Sequence, residues 1–208
     1  MDADFNYRTT FADHDLVAMK GTVHEEERSE GVNWAGQTLS GQVFEQCTFH
    51  RCDLSKALLE RCRFVDCTFR ACDLSMVRLG GTSLQGVCFE GCKLLGTDLS
   101  ACNPMLFKVG FDQCKLDHAV LSGCRLKGTR FAQCTMTGVE LSGADLEEAL
   151  LEKCDLRDAV FDRTVLRKAD LSTAYNLALD PDRNDLRGAR FSVEGALALL
   201  AKYGVEVG

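Results

Sequence analysis

One feature constrains this chain more than any other: a large apolar residue recurs at every fifth position. The first run is Trp34, Leu39, Phe44, Phe49, Leu54, Leu59, Phe64, Phe69, Leu74, Leu79, Leu84, Phe89, Leu94 and Leu99. The second is Leu106, Phe111, Leu116, Leu121, Leu126, Phe131, Met136, Leu141, Leu146, Leu151, Leu156, Phe161, Leu166 and Leu171. A helix would repeat near 3.6 residues and a strand at 2, so neither explains a period of five. A fixed short period sustained over 14 plus 14 positions implies a solenoid, in which each unit buries its apolar residue only against neighbouring units.

A longer period lies inside the short one. Phe49, Phe69 and Phe89 are 20 apart, as are Cys52, Cys72 and Cys92, and then Cys114, Cys134 and Cys154. Four units therefore make one coil, and about seven coils would give a rod about 35 Å long at the spacing of stacked strands. From Phe89 to Phe111, and from Cys92 to Cys114, the step is 22. Two residues must bulge out between Leu99 and Leu106, in the stretch 100–105 that holds Asn103, Pro104 and Met105. Proline cannot donate to a strand ladder, so it suits such a bulge.

The unit reads small, polar, Leu or Phe, polar, polar, as in Cys52-Asp53-Leu54-Ser55-Lys56 and Ala144-Asp145-Leu146-Glu147-Glu148. This resembles the pentapeptide-repeat family and its pattern A(D/N)LXX, over residues 32–173 or so. The resemblance implies an all-β solenoid, a right-handed quadrilateral β-helix with four faces per coil. The expected organisation is an irregular N-terminal segment with a partial coil around Phe11 and Leu16 over 1–31, the β-helix over 32–191, and a cap over 192–208.

Ten of the twelve cysteines lie two residues before a central Leu, Phe or, at Met136, Met, a slot that Ala57, Thr97 and Val139 fill elsewhere. Such a slot wants a small side chain facing inward, and free cysteine behaves as a small buried hydrophobe. Reduced core thiols are expected. Cys47-x-x-His50-x-Cys52 has metal-like spacing, but His50 follows a central residue and would point outward, away from both thiols. No metal and no cofactor is expected.

The remaining chemistry is equally bare. Gly80-Gly81, Gly86 and Gly91 form neither GxGxxG nor a P-loop. Ser55, Ser75, Ser100, Ser122 and Ser142 recur at one repeat position and read as turn residues, not nucleophiles. A filled rod offers no substrate pocket, so neither an enzyme nor a small-molecule substrate is expected. The net charge of −7 disfavours direct nucleic-acid binding. No apolar run approaches a membrane span and no leader opens the chain, so no membrane is expected and the location reads as cytoplasmic.

What remains is the surface. Between residues 140 and 170 the acids Glu140, Asp145, Glu147, Glu148, Glu152, Asp155, Asp158, Asp162 and Asp170 face five bases, a local −4. Between 40 and 72 the balance is four acids against five bases, a local +1. The first eight of those acids are the candidate partner-binding surface. The C-terminal stretch, with Tyr175-Asn176, Asp180-Pro181, Asn184-Asp185-Leu186, Ala189-Arg190-Phe191-Ser192 and Leu199-Leu200, resembles the ending of topoisomerase-protecting pentapeptide proteins. These include Qnr-type quinolone-resistance proteins and immunity proteins for albicidin and microcin. The resemblance implies a homodimer that imitates B-form DNA and binds DNA gyrase or topoisomerase IV. The short bulge, in place of the long loops of Qnr-type proteins, favours a self-immunity or gyrase-inhibiting relative. A scaffold that binds an unrelated protein is the alternative.

About 35 Å of duplex carries about 20 charges. Mimicry by a subunit of net −7 would therefore rest on shape and a local patch. Ser192 is an expected N-cap and Gly204 an expected stop for a helix over 193–203. Too short to be stable alone, that helix is expected to bury Leu197, Leu199 and Leu200 against the last coil around Leu186 and Phe191. Tyr203, Val205 and Val207 would remain as surplus apolar surface, with 205–207 as a short strand. Leu197, Leu200, Tyr203, Val205 and Val207 are the candidate dimerisation residues.

Overall fold

A computed structural model describes residues 23–205. Phe11, Leu16 and Val207, named above, lie outside the described residues. The chain winds as a parallel β-solenoid of about eight turns, with one C-terminal helix. The ladder is already in place at Val23–Glu25 and Arg28–Glu30, which pair with Val43–Glu45 and Thr48–His50 one coil on. Nine strands follow one another along one edge-to-edge path, so the rod is about 38 Å long.

The four faces are columns of residues in register. Face one stacks Phe44, Phe64 and Leu84 and continues through Leu126, Leu146 and Leu166. Face two stacks Phe49, Phe69, Phe89, Phe111 and Phe131, ending at Leu171 and Phe191. Faces three and four run through Leu54, Leu74, Leu94 and through Leu59, Leu79, Leu99. Central residues are buried throughout 34–99 and 111–171, and form one continuous core.

The polar residue before each central one has a local job. The Asp53 carboxylate accepts the Ser55 N–H at 2.9 Å, Asp73 that of Ser75 at 3.0 Å, and Asp170 that of Ser172 at 2.9 Å. An Asp or Asn there closes the corner with a side-chain turn. Two residues past the centre the backbone turns left-handed, as at Lys56, Met76 and His118. Glycine at some of these corners leaves room for the side chain of the neighbouring coil. A Cβ on Gly86 would meet the Asp66 carboxylate, and one on Gly138 would sit 2.6 Å from the His118 ring, so those side chains would have to swing aside.

The phenyl rings of face two form an unbroken stack. Neighbouring centroids lie 4.5, 5.3, 5.4 and 5.1 Å apart from Phe49 to Phe131, with planes within 16° of parallel. Phe44 and Phe64 stack likewise at 4.9 Å and meet the second column edge-on.

All twelve cysteines are free, and all but Cys88 are buried, including the ten in the small slot. The slot also has a polar role. The Cys72 thiol donates to the Phe49 carbonyl, Cys92 to Phe69 and Cys114 to Phe89, each at 3.3 Å. Thr97 donates to Leu74 at 2.8 Å and Thr164 to Leu141 at 2.9 Å in the same way. Cysteine and threonine alternate there because each is small and brings one hydrogen to a buried carbonyl of the coil below. Burial pushes the Cys62 thiol up to about 11 and the Cys102 and Cys124 thiols up to about 12, so little thiolate forms at neutral pH. In the native protein Cys88 should react with iodoacetamide first and the buried thiols only on unfolding. Cys114→Ala should keep the fold at a cost of about 1 kcal/mol. Prompt labelling of every thiol would contradict this arrangement.

The bulge sits later than the sequence places it. Asn103 still donates to Thr82 in the 20-residue register at 2.8 Å. Lys108 then pairs with Gln85, and Val109 with Val87, so the extra residues lie between 103 and 108. Leu106, expected as a central residue, is instead 68% exposed at a left-handed corner, and Phe107 packs against the core. Met105 beside it is 70% exposed. Removing Pro104 and Met105 should restore a strict 20-residue coil, with Leu106 taking the inward place of Phe107. That exchange of one large apolar residue for another should shift stability by only about 1 kcal/mol. A collapse of the melting transition in the shortened chain would show that the bulge is structural.

A smaller slip occurs near the end. Asn176 stands at a left-handed corner, and Leu177 is buried in its place. The register recovers by Val165↔Asp185 and Leu171↔Phe191.

Candidate partner-binding surfaces

A five-residue unit turns the chain by one face, so residues close in sequence face different ways. The eight candidate acids are distributed accordingly. Asp145 and Glu147 lie on face one, with Glu148 at its corner. Glu152 lies on face two, in register with Ala132, and Asp155 on face three, in register with Thr135. Glu140 and Asp162 belong to face four, with Asp158 at the corner before them. The fold does not gather the eight into one patch.

Four of the eight are also neutralised one coil away. Glu147 sits between Lys127 at 3.3 Å and Arg167 at 3.1 Å, and these two cations hold its carboxyl below the ordinary range. Arg167 reaches on to Asp185, whose carboxyl is held down at about 2, chiefly by Arg187. Glu148 pairs with Lys168 at 3.2 Å, Glu152 with Arg130 at 2.6 Å and Asp162 with Arg183 at 2.6 Å. Stacking in register would set like charges about 4.8 Å apart, and alternation of sign from coil to coil removes that repulsion. These exposed pairs contribute little individually. Their main effect here is to cancel acidity on faces one and two.

His50 lies on the surface beside Glu30 at 3.1 Å, while Cys47 and Cys52 point into the core. Among the described residues no group of three or more His, Cys, Asp or Glu is placed to hold a metal ion, and no helix is long and apolar enough to cross a membrane.

The C-terminal helix α1 spans Val193–Ala201. Ser192 caps it by accepting the Gly195 N–H at 3.0 Å, and Gly204 follows at φ 65°. Lys202 ties its end to the preceding loop, donating to Asp182 at 2.7 Å and to Asp180, while the Tyr203 hydroxyl donates to Asp182 at 2.8 Å. The helix does not lie as the sequence suggests. Gly195, against Phe191, and Leu199 are its more covered positions. Leu197 and Leu200, expected to be buried on the last coil, are each 39% exposed. Val193, Tyr203 and Val205 are more exposed still, and Val205 is not in a strand. The cap thus presents an apolar side to solvent.

The profile of the pentapeptide repeat region matches residues 42–108 and 104–174, together well over half of the chain. The chain belongs to the pentapeptide-repeat family. No curated protein sequence matches it significantly. Among solved structures of pentapeptide-repeat proteins it is similar to HetL from the cyanobacterium Nostoc sp., described as involved in heterocyst differentiation regulation. The two are 21% identical with a TM-score of 0.60, over 83% of this chain and 86% of that one. QnrB1, a plasmid-mediated fluoroquinolone resistance protein, is 25% identical over 96% of this chain and 95% of that one, with a TM-score of 0.45. The similarity to HetL establishes the pentapeptide-repeat fold and nothing about the partner.

Proposed function

We propose that this pentapeptide-repeat protein is a cytoplasmic, non-enzymatic homodimer. In this reading it offers a DNA-shaped rod to a type II topoisomerase, DNA gyrase or topoisomerase IV, and protects that enzyme from a toxin or antibiotic. The observation that carries this reading is the C-terminal end. A stiff, net acidic rod stops at a helix whose outer side displays Val193, Leu197 and Leu200. A second copy joined there would double a rod of about 38 Å to about 75 Å. With many acids ion-paired, resemblance to DNA rests more on shape than on charge. The free buried thiols suit a reducing compartment, which a topoisomerase partner also requires.

The test is gyrase supercoiling with the purified full chain, with and without a panel of gyrase poisons. Inhibition, or rescue from a poison, at micromolar protein is expected. Absence of binding, inhibition and rescue would overturn the reading. The ion-pair ladder of face one favours the second reading, a scaffold for an unrelated protein, because it cancels the acidity that DNA mimicry would use.

A further inference from the structure

The small slot recurs on all four faces, but one of its columns is unlike the others. Before face four it holds Ala57, Val77, Thr97, Ala119, Val139 and Ala159, the mixture expected of a slot that selects for size alone. Before face three it holds Cys52, Cys72, Cys92, Cys114, Cys134 and Cys154 in six successive coils, every one buried. Threonine brings the same hydrogen to the carbonyl below, as at Thr97 and Thr164. Size and hydrogen bonding therefore do not account for sulfur in every coil of this column.

The parallel register stacks these sulfurs one above another. At about 4.8 Å per coil the column runs about 24 Å from Cys52 to Cys154. Its members touch. The Cys52 N–H donates to the Cys72 sulfur at 3.4 Å. Hydrogens from the Cys114 and Cys154 thiols hold the Cys134 thiol below its ordinary value, and one from Cys72 does the same for Cys52. At its upper end the column meets Ala174, stacked on Cys154. Ala174 lines an open cleft of about 570 Å³ between the last coil and α1, beside Gly195 and Ala198.

A tetrahedral or octahedral ion needs three or more convergent donors, and none converge among the described residues. A soft ion that takes two sulfurs in line needs only an adjacent pair. A metal–thiolate bond of about 2.3 Å sets two such sulfurs about 4.6 Å apart, close to the coil spacing of about 4.8 Å. Thiolate sulfur prefers Cu(I) to harder cations. One S–H proton leaves as one S–Cu bond forms, and the neighbouring thiol completes the pair with a lone pair. One positive charge replaces another, so the core gains no net charge. The S–H groups given up are weak donors, so their carbonyls lose little.

The geometry points to the column from Cys52 to Cys154 as a binding site for soft monovalent cations, Cu(I) foremost, held in line between sulfurs of adjacent coils. The ion enters through the cleft beside α1 when the cap opens locally. On this assignment the expectation of no metal fails. Cys47-x-x-His50-x-Cys52 is a spacing along one coil, whereas these sulfurs meet only between coils, 20 or 22 residues apart. The site is independent of the proposed function and needs no topoisomerase.

The experiment adds Cu(I), buffered anaerobically by a chelator, and silver(I), its redox-inert analogue, to the intact reduced chain, with zinc(II) as control. Two variants share Cys47→Val, which removes the Cys47–Cys67 contact and repeats the residue at Val87. The alternate variant adds Cys72→Ala, Cys114→Ala and Cys154→Ala, so that no two sulfurs of the column are adjacent. The block variant adds Cys52→Ala, Cys72→Ala and Cys92→Ala, which leaves Cys114, Cys134 and Cys154 adjacent. Alanine fills the small slot at Ala57 and Ala119, and melting without metal confirms that both variants fold. An ion held by the folded core raises the melting temperature, whereas one caught by thiols exposed on unfolding lowers it. Silver(I) and Cu(I) should raise it by about 4 °C or more in the parent and the block variant. The alternate variant should show no rise, and zinc(II) should raise none of the three. A fall or no change in the parent overturns the assignment whatever the variants do. Equal rises in the two variants overturn it as well, because adjacency of the sulfurs would then be irrelevant.

Discussion

Phe111→Ala should destabilise the protein by about 3–5 kcal/mol and lower its melting temperature by about 10 °C or more. Phe111 is buried within the longest ring stack, with Phe89 at 5.4 Å and Phe131 at 5.1 Å. Truncation removes two stacked contacts and opens a cavity that a close-packed interior fills only partly. Position along the rod adds to the effect. In a solenoid each coil is held only by its neighbours, so a weakened central coil uncouples the two halves. The bulge at 104–106 lies in the same turn, leaving this coil fewer regular neighbours to share the loss. Phe191, half-buried at the last strand, has no coil beyond it, and its replacement by alanine should cost clearly less. Urea unfolding of both variants decides the matter. A loss below about 1 kcal/mol for Phe111→Ala would mean that the stack is not what holds the coils together.

The sequence made the core readable because burial here follows a single integer. A period of five fixes the inward residue, and Phe49, Phe69 and Phe89 at 20-residue intervals fix the coil. The inward thiols follow from the same frame, and so does the outward His50. The places where it failed share one physical origin: periodicity counts residues and does not see which of two neighbours the core prefers. At the bulge, Leu106 and Phe107 both satisfy an apolar slot, and only the register at Asn103 and Lys108 selects Phe107. At Asn176, where the five-residue repeat itself breaks, an amide does not fill the apolar slot and Leu177 takes it one residue later. The acids scatter for a different reason. A window of 30 residues wraps one and a half turns, so a charge excess in the linear sequence is shared among four faces. The helix was undecidable from pattern, because Ala196-Leu197-Ala198-Leu199-Leu200 is apolar on every side.

That last ambiguity bears on the second large effect, which concerns assembly. The intact chain should run as a dimer by light scattering at micromolar concentration, and Leu200→Asp should convert it to a monomer. In one subunit the side of α1 bearing Val193, Leu197 and Leu200 faces solvent, and Tyr203 and Val205 lie just beyond. Covering such side chains contributes up to about 1.5–3 kcal/mol each, and an isologous contact counts every one twice. An aspartate at position 200 would likewise enter the seam twice, as a pair of like charges taken out of water. The dissociation constant should rise at least about 100-fold, equivalent to about 2.8 kcal/mol. Folding of each subunit should change little, because Leu200 is not part of the solenoid core and the Ser192 cap and Lys202 anchor are untouched. This separation distinguishes a dimer contact from a packing residue: thermal melting of the β-solenoid should survive while the mass halves. A monomeric parent chain would remove the interface, and with it the doubled rod on which the topoisomerase reading depends. A dimer that withstands Leu200→Asp and Leu197→Asp would place the seam elsewhere on the molecule.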